Sequence, residues 1–217
     1  RITGPAEEGV EWKTAGWKHE NQVWTTAFSS DGSLLLTGGF DGRIFVCRTG
    51  ELTSPLTLVH KPADDDVRTD SRFSNVLCAA FVQNPENPSQ MAVASGAGDG
   101  MNRVWRLATS EELAADLSLQ LKGHREDIYA ICAFQSGGLV RIVTAGKDKN
   151  TTIWDPTRLW DPDATLSPAE RVQEALSLQE YHTGPIRAVA YSPETNAILT
   201  AGADGRAILY PAPVMAE

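Results

Sequence analysis

The chain has 217 residues, 41% of them hydrophobic and 22% charged, enough apolar material for one domain with a core of its own. Its net charge of −9, with no Lys/Arg cluster, excludes the basic stripe that a nucleic-acid partner needs. No apolar run approaches the ~18 residues that span a bilayer, so no membrane partner is expected. Three sparse cysteines, Cys47, Cys78 and Cys132, lie in apolar runs and share no metal-ligand spacing. They read as reduced thiols of a cytoplasmic protein, and neither metal nor other cofactor is expected.

In chain order, residues 10–14 alternate apolar and polar side chains like an outer strand, and His19 lies in the turn before an inner strand that starts at Val23. Residues 61–74 form a charged insert with Asp64, Asp65 and Asp66; no calcium loop of the EF-hand type surrounds them, so they read as solvated loop. The next inner strand starts at Val76. Helix formers follow Ser110, which predicts a helix near 110–117. Residues 119–122 alternate again, Gly123-His124 turn the chain, and 128–134 is an apolar inner strand. Turns at 135–138 and 146–150 separate strands over 139–144 and 151–154. Ser167, Pro168 and Glu170 look like a capping box with Pro at the first helical position, and Val172, Ala175 and Leu176 give an apolar side. They predict a helix near 167–178, which either packs on its own blade or docks a partner. A last strand covers 206–210.

One phrase recurs through this order: an apolar run, a small polar turn, an Asp, then another strand. The Asp residues are Asp41, Asp99, Asp148 and Asp204, at steps of 58, 49 and 56 residues. A period of this size marks a repeat architecture. The repeats run over 10–48, 54–107, 116–155 and 177–210, each with its outer strand first, and each supplies about four short strands, the content of a propeller blade.

Gly123-His124 followed by Trp154-Asp155 resembles the signature of the WD40 repeat family. In that family a His, a Ser/Thr, an Asp and a Trp form a hydrogen-bonded tetrad. The resemblance gives His124, Thr144, Asp148 and Trp154 in the third repeat, and His19, Thr37 and Asp41, with Cys47 in the Trp place, in the first. The second keeps Ser95, Asp99 and Trp105 but has Arg72 at the His offset; the fourth gives His182, Thr200, Asp204 and Tyr210. Loss of Asp99 should therefore be milder than loss of Asp148. The resemblance implies an all-β propeller of four-stranded antiparallel blades, four in this chain, forming half or a fragment of a ring of about seven or eight blades. A second copy, making a homodimer, or complementing blades from elsewhere would close it, and the exposed flanks would lie around Val23, Phe28, Val189 and Tyr191.

Ser/Thr, His and Asp also suggest a hydrolytic triad. Four copies, each with its hydroxyl in a strand rather than on an exposed elbow, favour structure, and no catalytic residue is expected. Residues 96–100 (Gly-Ala-Gly-Asp-Gly) mimic a phosphate loop but join two strands. The resemblance places partner contacts around the start of each inner strand and just before the turn Asp: Gln22, Trp24, Phe40, Leu77, Asp127, Tyr129, Lys147 and Arg187, with Asn75, Gly98, Pro185 and Ala203 at matching positions. The aromatics among them serve either this rim or the packing between blades. The function expected is a non-enzymatic scaffold for a protein or peptide; the alternative is the sensor or regulatory part of a larger signalling protein or enzyme.

Overall fold

The computed structural model describes residues 16–60, 75–160, 173–178 and 181–212. It is all-β, and the described residues form four antiparallel sheets in chain order. The first holds β1 (Val23–Phe28), β2 (Leu34–Gly39), β3 (Arg43–Arg48) and β4 (Glu51–Val59). The second holds β5 (Val76–Gln83), β6 (Met91–Ala97), β7 (Met101–Ala108) and β8 (Ala114–Lys122). β9 (Ile128–Ser136), β10 (Leu139–Gly146), β11 (Thr151–Asp155) and β12 (Gln173–Leu178) make the third, and β13 (Ile186–Ser192), β14 (Ala197–Gly202) and β15 (Ala207–Pro211) the fourth. Every sheet is a meander whose neighbours are consecutive strands, the form of a propeller blade.

The core lies between the blades. β6 is buried along its whole length because both faces are covered. Met91 and Val93 meet Leu34, Leu36, Ile44 and Val46 of blade one, while Ala92 and Ala94 meet Val140 and Ile142 of blade three. Phe134, Val143 and Ile153 then pack against Ile198 of blade four. This two-sided burial explains why the inner strands read as apolar runs rather than as alternating ones.

The recurring Asp sits in the β2–β3, β6–β7, β10–β11 and β14–β15 turns. The residue after each Asp has positive φ: Gly42 (74°), Gly100 (74°), Lys149 (67°) and Gly205 (76°). Each closes its turn by donating its backbone N–H three residues back, at 3.1–3.2 Å, as in a turn ending in a left-handed residue.

Three expectations are corrected here. No helix forms near 110–117, because residues from Ala114 onward pair with β7 as its outer neighbour. Of the helix expected near 167–178, residues 173–178 are β12, paired with β11, and 167–172 lie outside the described residues. Helix propensity yields in both places to an open sheet edge. The flanks also differ. Val23 and Phe28 are exposed on blade one, but Val189 and Tyr191 pack into the interface of blades three and four, where Tyr191 stacks on Phe134 at 4.2 Å. The free face of blade four carries Leu199 and Leu209 instead.

The strands opening the second, third and fourth sequence repeats pair with the sheet before them: β8, counted with the third repeat, closes blade two. The strand expected at 10–14 and the acidic insert at 61–74 lie outside the described residues.

Candidate interaction rim

At the start of every inner strand the pairing slips by one residue. Val23 faces Gly39 while Thr25 faces Gly38, so Trp24 is left over. The same slip isolates Leu77, Tyr129 and Arg187. Such β-bulges bend the strand and re-aim the extra side chain. Just before each bulge a carbonyl receives the N–H preceding the turn Asp: Phe40 to Gln22 (2.9 Å), Gly98 to Asn75 (3.0 Å), Lys147 to Asp127 (2.8 Å) and Ala203 to Pro185 (2.7 Å). The twelve positions thus occupy three equivalent places at one end of four blades.

Their side chains differ. On blade one Trp24 is 55% exposed and stacks on half-buried Phe40, with ring centroids 4.8 Å apart. Blade two is low, since Leu77 is buried and Gly98 has no side chain, so Leu77 does not reach the rim surface. On blades three and four the Arg187 guanidinium lies over the Tyr129 ring at 4.3 Å, and the Tyr129 hydroxyl donates to Asp127 Oδ2 at 3.3 Å. Burial and the Asp127 carboxylate push the Tyr129 phenol above its usual range, against the pull of Arg187. Lys147 pairs with Glu126 at 3.3 Å.

Beneath the rim lie the tetrads. In blade three His124 Nδ1–H donates to Asp148 (3.0 Å), Thr144 donates to His124 Nε2 (2.9 Å), and Trp154 Nε1–H donates to the Thr144 oxygen (3.0 Å). Asp148 also accepts the N–H groups of Arg125 and Asn150. Burial opposes its charge, but His124 and these donors hold it below the usual carboxylate range. Blade four repeats the pattern with His182, Asp204 and Thr200, and Asp204 is lowered to about 2 because bonds from Thr183, His182 and Arg206 outweigh desolvation. Blade one has His19, Asp41 and Thr37 at 2.8–3.0 Å. There Cys47 stands in the indole place, and Trp17 packs on Phe45 and His19.

Blade two does possess a His, which corrects the expectation at Arg72. His60 directly follows β4 and bonds Ser95 Oγ at 2.5 Å. It does not touch Asp99. Arg103 stands between them, donating from Nη1 to His60 Nδ1 (2.7 Å) and pairing through Nη2 with Asp99 (2.8 Å). Burial, with the Arg103 charge beside it, holds His60 far below the usual imidazole range, so it is neutral. Blade two also differs from the others by one methyl group. Two residues before the turn Asp the other blades carry Gly39, Gly146 and Gly202, and blade two carries Ala97. A Cβ at Gly202 would lie 2.5 Å from His182 Nδ1 and 2.6 Å from Asp204 Oδ1. In blade four the direct His–Asp contact has no room for it. Since both ring nitrogens of each His are occupied within the blades, none is a free base for chemistry at the surface.

A model of the WD domain, G-beta repeat, matches residues 15–47, 116–155 and 174–210, more than half of the chain. The chain belongs to the WD40 repeat family. The stretch between the first two matches contains the inner strands of blade two, where the WD40 tetrad is altered. Similar curated proteins include the DENN domain and WD repeat-containing protein SCD1 of Arabidopsis thaliana, 26% identical over 86% of this chain and 12% of its own length. Cilia- and flagella-associated protein 52 of Bos taurus is 28% identical and that of Sus scrofa 26%, each over 84% of this chain and 24% of the relative. The chain therefore spans between about an eighth and a quarter of these relatives. No helix among the described residues is long and apolar enough to cross a membrane.

Proposed function

We propose that this WD40 chain is a non-enzymatic scaffold that holds a protein or peptide segment across the bulge-marked rim. The supporting observation is the fourfold bulge, which turns Trp24, Tyr129 and Arg187 toward one end of the blades. Trp, Tyr and Arg are the commonest interface anchors, and a bulge is how a sheet re-aims a side chain for use. Affinity capture from a cell extract tests this with the parent chain, Trp24→Ala, Arg187→Ala and Leu209→Ser, a change on the free flank. Partners retained by the parent and the flank variant should be lost from the rim variants. Identical partner sets for all four proteins would overturn the rim.

A second reading is favoured by the short share of each relative that the chain covers: it serves as the WD-repeat part of a larger signalling protein or enzyme. The endogenous product would then run far above the mass of 217 residues on a denaturing gel. In either case we place the protein in the cytoplasm, in keeping with Cys47, Cys78 and Cys132 being free thiols.

A further inference from the structure

Charge is unevenly spread around the rim. Blade one presents apolar aromatic surface, with its Arg43 paired to Glu20 at 3.0 Å. Blades three and four present five exposed cations on the same turns: Arg125, Lys147, Lys149, Arg187 and Arg206. Lys147 is engaged by Glu126. For Arg187, no carboxylate lies within ion-pair distance among the described residues, although its plane is held against Tyr129. A guanidinium stacked through one face keeps its N–H edges free and loses little rotamer freedom when they are used. Its neighbours limit what can enter: the Asp127 carboxylate accepts from the hydroxyl of the same Tyr129, and Glu126 is the adjacent residue. A doubly charged phosphate would meet more repulsion there than a single carboxylate.

We propose that Arg187, braced on Tyr129, is the subsite for a carboxylate in the bound segment, either an Asp/Glu side chain or a chain terminus. An apolar or aromatic residue of the same segment lies on Trp24 and Phe40. This deepens the scaffold reading and rests on it. Over the low saddle of blade two, where Leu77 is buried and Gly98 bare, the extended chain of the segment crosses between the two anchors. The partner is thus an acidic-apolar peptide rather than a basic one, even though the whole protein carries −9.

The test is an immobilised library of short peptides, each with one Leu and, at varied spacing, one Glu, Gln, Lys or phosphoserine. Glu peptides should be retained about tenfold better than their Gln counterparts, as a charge-assisted bidentate contact allows. Arg187→Gln and Tyr129→Ala should erase that preference, Tyr129→Phe should keep it, and Arg187→Lys should keep only a small part. Thermal unfolding checks that each variant is folded. Equal retention of Glu and Gln, stronger retention of phosphoserine or Lys, or no retention of any peptide would overturn the carboxylate subsite. If Trp24→Ala abolishes binding while Arg187→Gln leaves the Glu preference intact, only this subsite falls. If binding survives both changes untouched, the rim falls with it.

Discussion

At the scale of single residues, blade two is the informative exception. Its Arg103 is 1% exposed and neutralised by Asp99 at 2.8 Å. Asp99→Ala removes the carboxylate that pairs with Arg103, and loss of one partner of a buried ion pair typically costs about 3–5 kcal/mol. Asp148→Ala leaves the buried His124 N–H without its acceptor, at about 1–3 kcal/mol, and frees the more exposed N–H groups of Arg125 and Asn150. The expectation from the structure is therefore the reverse of the one from the sequence, and urea unfolding of the two variants decides between them: Asp148→Ala should be the milder. The same geometry sets a second expectation. His19, His124 and His182 donate from Nδ1 to Asp, whereas His60 Nδ1 accepts from Arg103, so its proton is on Nε2. Nitrogen-detected NMR near neutral pH should therefore show one imidazole in the opposite tautomer to the other three, and Arg103→Ala should remove that distinction. His60 was missed because its offset was counted back from the inner strand. Counted forward it lies one residue past β4, close to the place of His124, two residues past β8, and the insert at 61–74 separates the two counts.

At the scale of strands and turns, blades one, three and four have a close approach at the glycine two residues before the turn Asp. Gly202→Ala should push His182 and Asp204 apart and lower stability by about 1–3 kcal/mol, the range for a buried bond left unmade. Amide exchange at Thr183, which donates to Asp204 at 2.9 Å, should quicken in the same variant. Unchanged exchange and melting would show that the pair tolerates the methyl group. Strands flanked by these turns were legible in the sequence because apolar runs and turn residues agree there. The outer strands were not. Residues 111–115 (Glu-Glu-Leu-Ala-Ala) are good helix formers, and Val172, Ala175 and Leu176 have helical spacing. What decides their state is an unpaired edge on β7 or β11, which no local pattern reports. The bulges escaped notice for a related reason: they are a property of pairing. The one at Arg187 shifts the parity of β13, so the faces of Val189 and Tyr191 follow from the pairing rather than from alternation counted from Ile186.

At the scale of the whole molecule, the inner strands β1, β5, β9 and β13 pack one on the next, and the two outermost faces keep exposed apolar groups. Phe28 is 68% exposed at one end and Leu209 64% at the other, with Leu199 beside it. We propose that these faces are covered in use by further WD40 blades or by a second copy of the chain. If a second copy covers them, light scattering should show a two-fold assembly that Leu199→Ser with Leu209→Ser returns to monomer. A monodisperse parent monomer that binds no apolar dye would instead show that the four blades need no cover.

The offset between repeat and sheet gives the rim a mechanical reach. His124 ends the link out of β8, the perimeter strand of blade two, yet it is fastened to Thr144 and Asp148 of blade three. His182 does the same for β12 and blade four. A ligand tightening the turns around Tyr129 and Arg187 would pull on struts that run outward to the circumference of the neighbouring blade. Occupancy at the hub could then be sensed at the edge, where an outer strand is the part of the sheet most ready to loosen and the part another molecule meets first.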